Sequence, residues 1–198
     1  MVARNGYANT SLKDIAAEAG VAQALLHYYF DSKEELLSEV VMTIDNELQE
    51  EWKRAVAPIA DPLQRIAVGI DSAAATCARR PEFWRLLVDL QAVSLTNPTV
   101  KARLHELSQR FLADVVAEVE NVSRGLPVPA PMPPEVLAAA IVGAIDGIAL
   151  QSLLRDEDAA PAFQALKGMM LGFAAMSYLM AGEQPPLDHL VSLLPPIG

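Results

Sequence analysis

Prolines divide most of this chain into segments of helical length, and this division limits the possible folds more than any other feature. Pro62, Pro81, Pro98, Pro134 and Pro161 each open a stretch long enough for several helical turns. Proline suits the first turn of a helix, because the amide hydrogen that it lacks would have no intrahelical partner there. No run of the sequence shows the alternation of β-branched and polar residues that is typical of a strand. The sequence therefore predicts an all-α protein.

Two short helices are predicted near the N-terminus, separated by a tight turn. Ser11 and Asp14 have the spacing of a capping box at the start of the first helix, and Gly20 suits the left-handed residue that ends it. Ser32 and Glu35 repeat the capping pattern where a long third helix begins. Two helices joined by a tight turn that contains glycine form a helix-turn-helix, a motif typical of DNA-binding proteins.

The remaining helices follow the prolines along the chain. The approximate residue ranges expected for all of them are 12–19, 22–29, 33–56, 62–79, 81–95, 98–122, 134–154 and 161–181, with a short turn near 187–194. Five prolines between residues 125 and 134 predict an extended connection.

The N-terminal segment combines several short motifs at a fixed spacing. They are Gly6-Tyr7, Thr10-Ser11, Ile15-Ala16, Ala19-Gly20-Val21, Tyr28-Tyr29-Phe30 and Ser32-Lys33-Glu34-Glu35-Leu36. In this combination Gly6–Leu37 resembles the DNA-binding region of the TetR family of transcriptional regulators, and Asp146–Leu150 is similar to that family's dimerisation helix. The resemblance implies a helix-turn-helix domain over residues 1–38. It implies a ligand-binding and dimerisation domain over residues 39–198, built as a TetR-like helical bundle that forms a two-fold dimer.

The resemblance also implies which residues meet DNA. Residues 22–29 would form a recognition helix in the major groove, and the dimer would present two copies roughly 34–36 Å apart. The expected DNA-binding residues are Thr10, Ser11, Gln23, Leu25, His27, Tyr28 and Lys33.

The expected roles of these residues differ. Thr10, His27, Tyr28 and Lys33 match positions that contact phosphates in the family. Gln23 is the candidate base reader, because glutamine can pair with adenine through two hydrogen bonds, and Leu25 can contact only a thymine methyl. Alternative readings stay open: Tyr28 packing on its own domain, His27 exposed without a contact, and Lys33 paired with nearby carboxylates.

The central helices carry candidate residues for an effector site. Ligand pockets are mostly apolar, with a few polar groups that orient the ligand. The expected apolar lining is Trp52, Phe83, Trp84 and Phe111, and the expected polar anchors are Arg85, Gln91 and His105. These residues predict a small hydrophobic or amphipathic effector, although packing in the core is the alternative reading for each aromatic residue.

The last two long helices are predicted to form a homodimer. Each carries two glycines four residues apart within an apolar stripe, and 52% of the chain is hydrophobic, with a mean hydropathy of +0.23. A two-fold interface would bury this apolar surface against its own copy, whereas burial within one protomer is the alternative. The expected interface residues are Ile141, Gly143, Gly147, Ile148, Gly168, Gly172, Phe173 and Met176.

Charge argues against a nucleic-acid partner. The formal net charge is -10 and the pI about 4.7, whereas phosphate contacts need Lys and Arg. Within residues 1–37, the basic residues Arg4, Lys13 and Lys33 are outnumbered by the acidic ones. Those acidic residues are Asp14, Glu18, Asp31, Glu34 and Glu35.

The N-terminus departs from the family pattern. Only the residues MVARN precede Gly6, where the family has a full helix. We therefore expect the chain to begin inside that helix, with Met1 either internal or a wrongly chosen start. If the short form is natural, the alternative function is a dimeric small-molecule-binding protein of TetR-like fold that no longer binds DNA.

Other classes of protein fit the sequence less well. It has three histidines, the single Cys77 and no G-x-S-x-G, H-E-x-x-H or glycine-rich phosphate loop, so we expect no catalysis, no cofactor and no metal site. Asp146 and Lys167 interrupt the two most apolar runs, so no membrane span is expected, and the cysteine content suits the reducing cytoplasm.

These expectations combine into one function. The sequence predicts a ligand-responsive, DNA-binding transcriptional regulator. We expect a cytoplasmic repressor that a small hydrophobic or amphipathic effector releases from double-stranded operator DNA.

Overall fold

The computed structural model describes Gly6, Tyr7 and residues 9–195. All regular secondary structure in this part of the chain is helical, which confirms the predicted fold class. The helices are α1 (Leu12–Ala19), α2 (Gln23–Tyr29), α3 (Lys33–Val56), α4 (Pro62–Arg79), α5 (Pro81–Ser94), α6 (Pro98–Arg124), α7 (Pro134–Arg155), α8 (Ala160–Met180) and α9 (Leu187–Ser192). Each predicted helix is present, with its ends displaced by a residue or two. The hypothesis that residues 1–5 are the end of a further helix lies outside the described residues.

The helices group into two compact units. Unit 1 takes in the chain up to Leu48 together with Arg80–Gln109, and unit 2 comprises Gln49–Arg79 and the chain from Arg110 onward. Of the three boundaries between the units, one falls within α3, one within α6, and one between α4 and α5. The two units therefore differ from the two predicted domains, residues 1–38 and 39–198. That division into functional domains stays a prediction.

The ends of the first helices in unit 1 follow from local hydrogen bonds. The Ser11 hydroxyl accepts the Asp14 N–H at 3.2 Å, and the Asp14 carboxylate accepts the Ser11 N–H at 2.9 Å, so the predicted capping box is confirmed. Gly20 has a φ of 67°, the left-handed conformation expected of the residue that ends α1. The turn that follows lets α1 and α2 pack together.

The second capping box differs from the prediction in one bond. The Ser32 hydroxyl accepts the Glu35 N–H at 3.1 Å, as expected. The Glu35 carboxylate, however, accepts the N–H of Asp31 at 2.8 Å, one residue before the cap. The box still satisfies two amides at the start of α3, which would otherwise lack intrahelical partners.

The core of unit 2 forms where α8 packs along α4. Leu63 and Ile66 of α4 meet Leu171 and Ala174 of α8, and Leu190 of α9 completes the cluster. Removal of this apolar surface from water contributes about 25 cal/mol per Å². The short helix α9 is therefore part of the core rather than a free tail.

An ion pair holds α4 to α6 beside this core. The Arg65 guanidinium donates to both carboxylate oxygens of Glu118, at 2.7 and 2.6 Å, and its third nitrogen donates to the backbone oxygens of Val56 and Ile59. Both charged side chains are largely buried. Because the planar fork of arginine matches a carboxylate, lysine would not make the same set of bonds.

The proline-rich connection between α6 and α7 is anchored at its start and in its middle. A Cβ on Gly125 would lie 3.1 Å from the ring of Pro62, so glycine permits a close approach there. The Ser177 hydroxyl, buried on α8, accepts the Val128 N–H at 2.9 Å and donates to the Val128 oxygen at 2.8 Å. The connection contains no helix or strand, bends at residues 126–128 and 131–132 where a straight extended segment was predicted, and is held against the last long helix.

Replacing this serine tests how much the anchor stabilises unit 2. Ser177→Ala leaves the N–H and C=O of Val128 without their partner, so we expect the free energy of unfolding to fall by about 1–3 kcal/mol. Ser192→Ala is the matched control, because the exposed Ser192 hydroxyl donates to the His189 oxygen at the surface. Denaturant titration measures both, and equal effects of the two variants would contradict the assignment.

Candidate nucleic-acid interface

Helix α2 presents nearly all of its side chains to solvent. Tyr28 is 80% exposed and Leu25 is 47% exposed, while Gln23 and His27 are also at the surface. Leu26 is half-buried and is the side chain that seats the helix. The helix carries no acidic residue and no Lys or Arg. Its surface therefore offers neutral hydrogen-bonding groups and apolar area to a partner, not charge.

Two of the exposed polar side chains contact each other. The Nε2 atoms of Gln23 and His27 are 3.2 Å apart, one turn of helix α2 from each other. The rings of Tyr28 and Tyr29 meet edge to face, with centroids 5.0 Å apart. The expectation that Tyr28 packs on its own domain is wrong, since most of its ring is exposed.

A cluster of polar contacts joins the turn before α1 to the start of α3. The Lys33 ammonium donates to the backbone oxygens of Tyr7 at 2.8 Å and of Thr10 at 2.9 Å, and it lies 3.8 Å from the centre of the Tyr7 ring. The Tyr7 hydroxyl donates to the Glu34 carboxylate. We call Tyr7, Thr10, Lys33 and Glu34 the anchor cluster.

The anchor cluster changes the expected roles of two residues. Thr10 is only 3% exposed, and its hydroxyl donates to the Gly6 oxygen at 3.0 Å. The expectation that this hydroxyl meets a DNA phosphate is therefore not met, because it is buried with an internal partner. Lys33 likewise has two carbonyl partners within unit 1. Its ammonium therefore bonds to backbone oxygens, where the alternative reading had paired it with carboxylates.

The electrostatics of the anchor cluster follow from these bonds. Burial by itself would raise the pKa of Glu34, but the hydrogen bond from Tyr7, the backbone and the charge of Lys33 lower it below its ordinary 4.5. Burial and the bond to Glu34 raise the pKa of Tyr7 well above its ordinary range. The pair is therefore a carboxylate and a neutral phenol at neutral pH.

Several acidic residues that argued against DNA binding have structural partners. Asp14 caps α1, Glu34 accepts from Tyr7, and Glu35 accepts the Asp31 N–H and lies 3.9 Å from Arg103. The hydrogen bonds from Ser11 lower the pKa of Asp14. These carboxylates therefore hold unit 1 together, and none of the three belongs to α2.

The candidate effector residues fall in both units. In unit 2, the rings of Trp52 and Phe111 meet at 6.3 Å, and a Cβ on Gly69 would lie 3.6 Å from the Trp52 Nε1. In unit 1, Phe83 and Trp84 are buried with ring centroids 5.5 Å apart. The three expected polar anchors, Arg85, Gln91 and His105, are all exposed.

The candidate dimer residues lie on α7 and α8 in unit 2. Phe173 and Met176 are exposed, and a Cβ on Gly143, Gly147 or Gly172 would meet no atom of the protomer within 4 Å. Ile141 and Ile148 are half-buried. At Gly168 the side chain of Leu194 in the same protomer lies 3.6 Å from the position of a Cβ, so this glycine is partly covered within the protomer. The apolar faces of both helices are otherwise uncovered.

Helix α7 also bears on the expected absence of a membrane span. Among the described residues, α7 is the one helix that is long and apolar enough to cross a bilayer, judged by length and composition alone. Asp146 interrupts its apolar run. Burial raises the pKa of Asp146. A single helix of this kind is weak evidence for a membrane protein, because core and interface helices of soluble proteins pass the same test.

Sequence reasoning missed contacts that join distant parts of the chain. The buried Lys167 of α8 donates to both oxygens of Asp71 on α4, at 2.9 and 3.1 Å. The sequence signal that could have predicted this partner is a lone lysine within an apolar helix, because a buried charge needs one. The bonds of Lys33 to backbone oxygens had no signal, because any carbonyl can accept them.

Comparison with known proteins gives matches over most of the chain. Residues 1–40 match the family model described as bacterial regulatory proteins of the tetR family, and residues 62–175 match the one described as the C-terminal region of BetI-type transcriptional repressors. The HTH-type transcriptional regulator BetI of Agrobacterium fabrum is 24% identical over 157 residues, which cover 78% of this chain and 72% of that protein.

Two solved structures have a similar fold. A transcriptional regulator from Saccharomonospora viridis in complex with choline has a TM-score of 0.71 and 23% identity, over 83% of this chain and 86% of that chain. The regulator FadR from Bacillus subtilis in complex with stearoyl-CoA has a TM-score of 0.71 and 19% identity, over 87% of this chain and 91% of that chain.

Removal of the Tyr7 hydroxyl tests the anchor cluster through its dependence on pH. Tyr7→Phe loses the bond to Glu34, so we expect unit 1 to lose about 1 kcal/mol of stability at neutral pH. A lowered carboxyl pKa stabilises the fold above its unfolded value of 4.5, and this contribution disappears as the pH falls through the folded pKa. The difference between the wild type and Tyr7→Phe should therefore shrink below pH 4.5.

Denaturant titrations across this pH range measure that difference. Tyr29→Phe is the control, since Tyr29 is exposed on α2 and has no carboxylate partner in the contacts described above. A stability difference for Tyr7→Phe that stays constant from neutral to acid pH would refute the role assigned to Glu34.

Proposed function

The chain belongs to the TetR family of bacterial regulatory proteins, with a BetI-type C-terminal region, and on this premise we propose that it is a ligand-responsive repressor. It acts as a homodimer, binds double-stranded operator DNA in the cytoplasm, and leaves that DNA when a small effector binds. The observation that carries the proposal is the capped helix-turn-helix, whose second helix exposes Gln23, Leu25, His27 and Tyr28.

The proposed DNA surface consists of α2 and the exposed end of α1. Gln23 reads a base edge, and Leu25 offers an apolar side chain to a thymine methyl. The exposed hydroxyl of Tyr28 fixes the register by contacting a phosphate. The Ser11 hydroxyl donates to the Asp14 carboxylate at 2.6 Å, so its role is to cap α1. Thr10 and Lys33 act indirectly, because their polar groups hold the start of α1 against α3 within the anchor cluster.

The proposed dimer uses the uncovered faces of α7 and α8. Exposed apolar patches of this extent on a soluble protein mark interaction sites. The glycines at 143, 147 and 172 leave shallow notches, which allow helix axes of a second copy to approach closely. A two-fold contact uses the same residues in both copies, and it covers apolar residues of α7 and α8 that are exposed in the protomer.

The proposed effector is a small molecule with an apolar or amphipathic character. The two related structures hold choline and stearoyl-CoA, which differ greatly in size but both combine apolar groups with charge. Trp52 and Phe111 of unit 2 supply an aromatic pair for such a ligand. Effector binding shifts the dimer toward a conformation that fits DNA poorly. The size of this shift is set by how much more tightly the effector binds that conformation than the DNA-binding one.

A bulky substitution within the proposed dimer surface tests whether α7 lies in the interface. We expect Gly143→Phe to convert the dimer largely to monomer while its helix content stays normal, because the new side chain has open space in the protomer but not at the interface. Ala113→Phe, at an exposed position of α6, is the control. Sedimentation velocity measures both. A wild-type monomer, or a dimer that tolerates Gly143→Phe, would remove α7 from the interface.

The DNA-binding step is tested by mobility shift with duplex DNA from the region upstream of the chain's own coding sequence. We expect a discrete complex whose affinity falls with salt along a slope no steeper than about −4, because Lys33 is bonded within the anchor cluster and the other two cations among residues 1–37 allow about four phosphate contacts in a dimer. Choline and stearoyl-CoA are then titrated into the complex, and release by either one supports the switch.

A longer chain that starts upstream in the same reading frame is measured beside this one. If only the longer chain shifts the DNA, the preceding residues complete the DNA-binding domain. If neither chain shifts the DNA, the regulator proposal fails and the dimeric small-molecule-binding protein takes its place.

A further inference from the structure

We propose that His27 is a positioning residue for base recognition: it holds the Gln23 carboxamide in the orientation that reads adenine. This inference rests on the proposed DNA-binding function and replaces the expected phosphate contact of His27. Both side chains are exposed on α2, and their Nε2 atoms are 3.2 Å apart.

The helix itself brings the two side chains together. Residues four apart lie one above the other on the same helical face, and Gln23 and His27 are the first and fifth residues of α2. The Gln23 amide nitrogen faces His27, and because an amide nitrogen can only donate a hydrogen bond, the His27 Nε2 atom is the acceptor in this contact. The contact therefore defines which end of the Gln23 amide faces His27.

This orientation determines what Gln23 still offers to DNA. One amide N–H is bonded to His27, which leaves the second N–H and the carbonyl oxygen free. Adenine presents an acceptor at N7 and a donor at N6 in the major groove, so it matches that remaining pair. The reversed amide would offer its two N–H groups to the acceptors N7 and O6 of guanine. The His27 contact therefore favours adenine over guanine at one base pair.

The surroundings of the pair leave this role to His27. The other residues of α2 are Ala24, Leu25, Leu26, Tyr28 and Tyr29, which carry no amide or carboxylate group. Tyr28 and Tyr29 point their rings at each other. Without His27, the exposed Gln23 amide would rotate freely and would have to be ordered when it binds a base.

Base preference separates positioning from phosphate contact. The full chain is first used to select its sites from a library of randomised duplex DNA. Affinities for all single base-pair variants of the selected site are then measured for the wild type, Gln23→Ala, His27→Ala, His27→Gln and the double variant Gln23→Ala/His27→Ala. Thermal unfolding of each variant checks that the exposed substitutions leave the fold intact.

The expected result is specific to one base pair in each half-site. The wild type prefers A·T there by roughly 5- to 150-fold, and Gln23→Ala abolishes that preference. His27→Ala lowers the preference by roughly 2- to 10-fold, since the amide must now be ordered on binding, while the affinity for unrelated duplexes stays the same. His27→Gln offers a donor as well as an acceptor at this position, so it can bond either end of the Gln23 amide and retains only part of the preference.

The double variant tests whether His27 acts through Gln23. Because His27 acts through Gln23, His27→Ala should have no further effect once Gln23 is alanine. A loss of affinity that is equal for all duplexes, or that persists in the Gln23→Ala background, would make His27 a phosphate contact and overturn the inference while the regulator stands. Failure of the wild type to select any DNA would overturn both.

Discussion

The packing of α8 along α4 is the interaction on which the rest of unit 2 depends. It creates the cluster around Leu63 and Leu171, and α9 closes that cluster with Leu190. One edge of the same contact buries Lys167 beside Asp71, and Ser177 holds the proline-rich connection from the other end of α8. With these groups directed inward, the opposite face of α8 keeps its exposed methionines and Phe173, which gives the unit an exposed apolar surface.

Unit 1 has an apolar core of its own, in which Leu37, Val41 and Leu90 are buried. Its smallest helices, α1 and α2, contribute little to that core, since Ala16 of α1 is buried and no residue of α2 is. The anchor cluster compensates by tying the preceding turn to α3 through Lys33 and Glu34. Glu34, one of the acidic residues that seemed to oppose DNA binding, therefore helps to hold the turn before α1 against α3, and α2 itself carries no acidic residue.

Helix α2 carries no Lys or Arg, which changes how an operator would be found. Phosphate attraction supplies most non-specific affinity for DNA, and one of the three cations among residues 1–37, Lys33, is bonded within unit 1. The base contacts proposed for the exposed side chains of α2 would therefore carry a larger share of the binding energy than they would on a basic surface.

The sequence by itself determined the helices and their ends, because caps, glycines and prolines act over three or four residues of neighbouring chain. It also determined the family, through motifs at a fixed spacing between Gly6 and Leu37. Only the tertiary structure decided which polar groups are available: Thr10 was expected at the surface and is buried, and Lys33 bonds to carbonyls more than twenty residues away. Burial and long-range hydrogen bonds depend on how the helices pack, which the local pattern of residues does not contain.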